Sequence, residues 1–238
     1  MLIADPERRV AVDLSAKAGS MALAATFLEH AGFDRDPDEA IHDERRRYSR
    51  SVGLRPAAIR KILLTPGREG YRAFKFVRDP YARAVSAYLH VGHSPRLHEP
   101  FVEEGAIDDL TFVRFLHLIS GMDPFECNVH YRLQMNAYED DMEPGWDEVV
   151  RLESLADGIA RINAAHGLAF RPPAHHRGRE PESAAPVEDA ASIPFGELRR
   201  RHPPYRSFLD ARTIPLVEAI YGPDIVRYGY RAPGAGAA

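Results

Sequence analysis

The stretch Phe74-Lys-Phe-Val-Arg-Asp-Pro-Tyr-Ala-Arg-Ala-Val-Ser-Ala-Tyr88 constrains the fold more than any other part of the chain. It reads as a buried strand that ends at Val77 and turns at once into a helix. Asp79 suits the N-cap, and Pro80 suits the first helical position, where its missing N–H costs nothing. Tyr81, Val85, Tyr88 and Leu89 recur at helical spacing and form an apolar stripe fit to pack on a sheet. Arg78 stands at the strand–helix corner, where an anion meets the positive end of a helix. Ser86 follows about two turns on, roughly 10 Å along the axis. Arg78 and Asp79 can equally form a structural ion pair at the corner.

The other segments fit an α/β chain. Arg9 to Leu14 is a short apolar run and a first strand. Ser15-Ala-Lys-Ala-Gly-Ser20 follows, built of small residues around one lysine, and Met21 to Ala31 is helical up to a stop at Gly32. A strand, a loop with lysine, glycine and hydroxyl, and a helix start together resemble a phosphate cradle, although a plain turn has the same layout. A Walker A loop, G-x-x-x-x-G-K-[ST], is absent. Helix is expected over 37–50 and 56–64, in a polar segment whose only histidine is His42, flanked by Glu39, Asp43 and Glu44. Tyr71–Val77 is the second clear strand, and its helix is expected to end near Val91. A loop covers 93–105 and an amphipathic helix 108–120. A third strand spans Glu148–Leu152, and Ser154 is placed to cap a helix over Leu155–His166. Residues 171–204 read as a long loop or lid, in which His175, His176, Arg177 and Arg179 could close over an anion. A last helix is expected over 207–221, disturbed near Pro215, and a mobile tail from 232 on. Residues 1–231 are thus expected to form one domain.

Composition narrows the function. The net charge of −4 gives no support to nucleic-acid binding. The single cysteine, Cys127, leaves no internal disulfide framework, and no apolar run nears the ~18 residues of a membrane span. Charges appear by Asp5, before any leader-like apolar region develops, so a cytoplasmic chain is expected. Cys127-Asn-Val-His130 has the spacing of half a zinc site but lacks a second pair, so no metal is expected. Lysines are rare, only Lys17, Lys61 and Lys75 among 31 basic residues, which makes the one in the small-residue loop conspicuous.

In this order the motifs resemble the PAPS-dependent sulfotransferases of the carbohydrate group, the sulfotransferase family 2 domain. Lys17-Ala-Gly-Ser20 is similar to that family's Pro-Lys-x-Gly-Ser-Thr loop, and Phe76 to Tyr88 to its Val-Arg-(Asn/Asp)-Pro-Tyr-x-Arg-x-x-Ser-x-Tyr segment. Asn128-Val-His-Tyr-Arg-Leu-Gln134 resembles a His-Trp-x-x-Gln segment. Val150–Leu155 and Ile220–Tyr230 resemble a later strand and a C-terminal Tyr-x-x-Asp…Gly-Tyr. The chain departs from the pattern at Ala16, where the family has proline, and at Met21, where it often has threonine. It also departs in the late loop, which lacks Asn-x-(Ser/Thr), and the family's N-terminal membrane anchor is not expected here.

The resemblance implies a P-loop-NTPase-like, three-layer α/β fold with a central, mainly parallel sheet flanked by helices. It implies PAPS (3′-phosphoadenosine 5′-phosphosulfate) as co-substrate and a carbohydrate or other small hydroxyl acceptor. Lys17, Ala18, Gly19 and Ser20 would hold the 5′-phosphosulfate, and Arg78 and Ser86 the 3′-phosphate. The catalytic candidates are Lys17 for charge stabilisation and, as general base, His42 first and His130 second, with Glu39 and Glu44 as rivals. The competing reading is a non-catalytic or kinase-like nucleotide-binding protein. The oligomeric state is not set by the sequence.

Overall fold

The computed structural model describes residues 1–36, 38–101, 106–173, 185–199 and 203–233. The chain forms two compact units, Met1–Arg78 with Asn136–Gly178, and Asp79–Met135 with Arg179–Ala238.

The first unit is built on a four-stranded sheet in the order β1 (Leu2–Asp5), β2 (Val10–Leu14), β3 (Arg72–Val77) and β4 (Glu148–Arg151). β1 runs antiparallel to β2, and β2, β3 and β4 are mutually parallel. Side chains alternate across the pleat, so each strand feeds two layers. Val10, Val12, Leu14, Phe74, Phe76 and Val150 face α1 (Ser20–His30), α2 (Ile41–Ser51) and a helix over Leu155–His166. Ala4, Ala11 and Ala73 face α3 (Pro56–Leu64), which buries Ile59 and Leu63 on them. The small alanines give that helix room to sit close. The large side chains on the opposite face, Phe27 and Leu28 of α1 among them, contribute about 1.5–3 kcal/mol each on burial. Gly158 allows the Leu155–His166 helix to approach β4, because a Cβ there would lie 2.4 Å from Val150 Cγ1. The expected fold class is therefore observed: α/β, with a mainly parallel sheet covered by helices on both faces.

The second unit is helical. α4 (Pro80–His93) buries Tyr81, Val85, Tyr88 and Val91, and α5 (Phe112–Ser120) buries Phe112, Phe115, Leu116 and Ile119. The Leu155–His166 helix is α6, and α7 (Phe195–Leu198) and α8 (Thr213–Arg227) follow it in the chain. Tyr88 is the centre of this core. Its ring meets Phe112, Phe115, Phe195 and Phe208 at centroid distances of 5.5 to 6.1 Å, and its hydroxyl donates to Leu110 O at 2.9 Å. That is the geometry in which an aromatic cluster adds to plain area burial while the phenol stays satisfied.

Several boundaries differ from expectation. The strand β1 lies in a segment that carries charges early, and it pairs all four residues with β2. α8 starts at Thr213, so Pro215 falls in the first turn, where its lack of an N–H is harmless. The helix departs from helical geometry at Tyr221 instead, ahead of Gly222 and Pro223, and continues through 224–227. Ser154 makes no side-chain cap bond, because a tight turn over Leu152–Ser154 leads into α6. The helix expected over 108–120 is divided, with a tight turn at Ile107–Asp109 and a fresh start where Thr111 Oγ1 accepts from Arg114 N at 3.2 Å. Residues 93–101 are not plain loop: α4 reaches His93, and short turns follow at Pro95–Leu97 and Glu99–Phe101. In the 171–204 stretch the described part contains α7, and His175, His176, Arg177 and Arg179 lie outside the described residues.

Candidate active site

The parallel strands β2 and β3 end side by side. Ser15 N donates to Phe76 O at 3.2 Å, which carries their pairing one step beyond β2. The carboxyl edge of a parallel sheet is where α/β folds hold ligands, because the loops and helix starts gather there. The loop from Ser15 to Gly19 then turns sharply into α1. Two of its residues are left-handed, Lys17 at φ 65 and Gly19 at φ 71. Gly19 adopts that conformation without steric cost, and its missing Cβ also leaves space for Leu152 Cδ1, which would lie 3.0 Å from it. Lys17 pays about 1–2 kcal/mol for the same region, so the fold around it holds a lysine where a glycine would be easier.

This loop suits an anion. α1 begins at Ser20 with no side-chain cap bond and no acidic residue in its first turn. Its amide donors and positive dipole end are therefore not taken up by the protein's own carboxylate. Ser15 is buried, and its Oγ has no hydrogen-bond partner among the described residues. Arg78 reaches back to this loop: its Nη1 donates to Lys17 O at 3.2 Å. The structure thus brings Lys17, Gly19, Ser20 and Arg78 to one edge of one unit. Just beyond, Asp79 Oδ1 accepts from Tyr81 N at 2.9 Å and caps α4, with Pro80 at its first position.

Beneath the loop lies a buried ionic network. Asp13 and Lys75 are register partners on β2 and β3, so both point to the same face. Lys75 Nζ donates to Asp13 Oδ2 at 2.8 Å and to Glu139 Oε1 at 2.5 Å, and all three side chains are nearly inaccessible. Asn136 Nδ2 bridges the same two carboxylates at 2.7 and 3.0 Å, and Asn136 N donates to Glu139 Oε1 at 2.8 Å. Burial alone drives Lys75 towards its neutral form. Asp13 first and then Glu139 outweigh that, and its pKa ends above the ordinary lysine value. Burial likewise pushes the Asp13 carboxyl up, but the Lys75 ammonium leads the opposing attractions and holds it well below the usual carboxylate range. The network fastens the last residues of β2, ahead of the lysine loop, to β3 and to the 136–139 turn. Sequence reasoning passed over it. The available signal was a lone charge at matching positions in two apolar strands, Val-Asp-Leu and Phe-Lys-Phe, where each charge requires a buried partner.

The helical unit carries the remaining candidates. Ser86 is half-buried on α4. His130 sits in the segment after α5, and its Nδ1 lies 2.7 Å from Asn128 Oδ1. The backbone N of His130 donates to that same oxygen at 3.1 Å, which marks the atom as an acceptor and the ring Nδ1 as N–H. The neutral imidazole then keeps its basic lone pair on Nε2. The His90 ring lies 4.4 Å from the His130 ring. This segment is fastened at its far end by α8. Asp224 Oδ2 accepts from Gln134 N at 2.8 Å, Asp224 Oδ1 accepts from Met135 N at 2.8 Å, and Tyr221 Oη donates to Tyr131 O at 2.7 Å. The C-terminal Tyr-x-x-Asp motif is thus a clamp on the 128–135 segment. Buried Arg83 supports it, stacked 5.7 Å above the Tyr221 ring.

His42 belongs to the sheet unit. It is exposed on α2 and makes no hydrogen bond among the described residues, whereas its neighbour Glu44 is buried and accepts from Asp36 N and Arg47 Nη2. Among the described residues no group of three or more His, Cys, Asp or Glu is arranged for a metal ion, and no helix is long and apolar enough to cross a membrane.

Comparison with known proteins gives one finding. No curated protein and no solved structure matches the chain significantly. A family model described as "Sulfotransferase family" matches residues 21–231. The match opens at Met21, so the lysine loop just precedes it and stands on its own geometry, while the Arg78 corner, the His130 segment and the Asp224 clamp all fall within it. With most of the chain covered by this match, the chain belongs to the sulfotransferase family.

Proposed function

We propose that this sulfotransferase takes its sulfuryl group from PAPS and delivers it, by in-line displacement, to a hydroxyl of a carbohydrate or another small acceptor. The observation that supports this most is the junction of Lys17, Gly19 and Arg78 at the carboxyl edge of β2 and β3, where an uncapped helix start meets two cations. The residues fit the donor. Gly19 and Ser20 bring backbone donors to the 5′-phosphosulfate, whereas Ala18, also expected there, spends its N–H on Ser15 O at 3.1 Å, and Lys17 brings charge to the oxygen that leaves. Arg78 offers a planar fork to the 3′-phosphate, and Ser86 adds a hydroxyl from the family motif. A 3′-phosphate separates this donor from ATP. The acceptor hydroxyl gives up its proton to a base. His42 is the first candidate from its place between the two phosphate motifs, and His130 the second, with Asn128 fixing the tautomer that makes Nε2 basic.

Calorimetric titration with adenosine 3′,5′-bisphosphate and with ATP tests the donor. The bisphosphate should bind clearly more tightly, and Arg78→Ala should weaken it roughly 10- to 100-fold, as expected for losing a charge-assisted contact. A preference for ATP, or normal bisphosphate binding by Arg78→Ala, removes the assignment. Labelled PAPS offered with an acceptor panel tests turnover. Loss of transfer with intact bisphosphate binding in His42→Ala or His130→Ala identifies the base, and near-normal transfer eliminates that candidate.

A further inference from the structure

The opposite edge of the same sheet holds a second basic cleft. It has a volume of about 550 Å³ and is lined by Arg8, His30, Arg72 and His166 with the Gly167–Ala169 backbone. Arg8 lies in the turn between β1 and β2, and Arg72 opens β3. His30 and His166 close α1 and α6. All of these belong to one compact unit.

The cleft is rigidly built for a surface feature. The His30 ring packs against Phe170 at 4.2 Å, tilted by 46°, and the His166 ring packs against Phe74 at 5.1 Å. Asn163 clamps the backbone of Phe170 in both directions, accepting from its N and donating to its O at 2.9 Å each, which fixes the 167–169 wall. Arg72 Nη1 lies 2.7 Å from His166 Nδ1. A guanidinium only donates, so His166 Nδ1 is the acceptor, and its Nε2 carries the proton. Arg8 gives Nη1 to Asp5 Oδ2 at 2.8 Å. Each guanidinium has five N–H donors, so both arginines keep donors beyond these single contacts.

Three features oppose an anion here: the Asp5 carboxylate beside Arg8, the exposed Glu7 carboxylate that also attracts Arg8, and the negative ends of α1 and α6. The first and the last are largely answered inside the protein. Asp5 is nearly inaccessible and also accepts from the backbone N of Glu7 and Arg8. The last carbonyls of α1 accept from Ala31, Gly32 and Phe33, and Asn163 O at the end of α6 accepts from Leu168. The cleft is lined by two guanidinium groups and two imidazoles with the 167–169 backbone, and the His30 Nε2 atom is closed off from solvent without a hydrogen-bond partner among the described residues. Burial, and after it the nearby Arg8, hold His30 below its ordinary pKa. An anion between them would reverse the Arg8 effect.

We infer that this cleft is a second ligand site, taking a tetrahedral oxyanion, sulfate or phosphate, free or carried on a small polar molecule. The inference stands independently of the donor reading, because it uses no residue of the donor edge.

The test is NMR of the histidine side chains in the full chain. Sodium sulfate, sodium phosphate and glucose 6-sulfate are titrated in turn at constant ionic strength, with chloride as the balancing salt. Saturable shifts of His30 and His166 are expected in the wild type and in Arg78→Ala. Arg72→Gln, a change at an exposed position, should weaken them at least 10-fold. A stronger response to glucose 6-sulfate than to free sulfate identifies a carried group, and equal responses identify the free ion. Shifts that fail to saturate, that follow chloride equally, or that survive in Arg72→Gln overturn the inference. His166→Gln serves as the second variant if Arg72→Gln loses its fold by circular dichroism.

Discussion

Replacing Lys75 by methionine removes a buried cation while keeping most of its volume. Glu139 then lacks its cation in a dry site, while Asp13 keeps the Met1 ammonium at 2.6 Å and Asn136 lies between the two carboxylates. Removing one partner of a buried ion pair costs about 3–5 kcal/mol, because the remaining charge is uncompensated. For a chain of this size 1 kcal/mol shifts Tm by about 2–4 °C, so Lys75→Met should lower the transition of the sheet unit by roughly 6–20 °C. The sign of the pH effect follows from the same groups. In the wild type the folded pKa of Asp13 is depressed, so its contribution is present above the unfolded value of about 4 and lost as pH falls below it. In the variant the Asp13 carboxyl loses the strongest of the attractions that hold it down, so its folded pKa rises from the depressed wild-type position. The deficit should then shrink as pH falls, since protonated carboxyls tolerate burial. Thermal denaturation followed by circular dichroism at pH 7.5 and pH 5 measures both effects. A loss under 2 °C at pH 7.5, or a deficit that does not change with pH, would refute the argument that Lys75 neutralises this site. Lys75→Met/Asp13→Asn should recover part of the loss.

Two further substitutions test the local geometry. Gly19→Ala should cost about 1–2 kcal/mol of stability from the left-handed backbone, and more if Leu152 cannot yield, and it should weaken bisphosphate binding more than the distant Gly53→Ala, which meets no neighbour; calorimetry and thermal melts report the two effects separately. Asp224→Ala strands the amides of Gln134 and Met135, at about 1–3 kcal/mol for each buried unpaired donor, so a Tm loss is expected together with faster hydrogen exchange at 131–135, and unchanged exchange there would disprove the clamp.

The parts of the fold that the sequence revealed share one property: their signal is local. The strand–helix junction at Phe74–Tyr88 carries its own buried run, cap and proline, and β3 and α4 form where those residues place them. The loop around Lys17 was legible for the same reason, as small residues between an apolar run and a helical stripe. What escaped was set by pairing between distant segments. β1 is only four residues long and becomes a strand because β2 lies beside it. The Lys75 network joins residues 62 and 64 positions apart, so no window along the chain contains it. The Asp224 clamp spans about 90 positions, and its motif was visible only as a resemblance without a structural role. The last helix, expected over 207–221 with a disturbance at Pro215, runs over Thr213–Arg227: Pro215 sits in its first turn, where it interrupts nothing, and the irregularity falls at Tyr221.

The two edges of the sheet make opposite use of α1. Its start lies in the donor loop at Gly19 and its end lies at His30 in the second cleft, about 16 Å apart over 11 residues at the helical rise. On the proposed function the donor edge holds charge with backbone donors and a helix start as well as with Lys17 and Arg78, so losing one side chain weakens it without emptying it. The other edge faces helix ends of the wrong sign and depends on its arginines, so one substitution should empty it. Direct electrostatic coupling between them is weak: at about 16 Å in water two unit charges interact by about 0.3 kcal/mol, and physiological salt with a Debye length of about 8 Å screens most of that. Arg72→Gln should therefore leave bisphosphate affinity within about twofold of the wild type. Calorimetric titration of the bisphosphate into both proteins decides it. A change above fivefold would mean that α1 transmits a structural shift from one edge to the other, and the two sites would then be coupled.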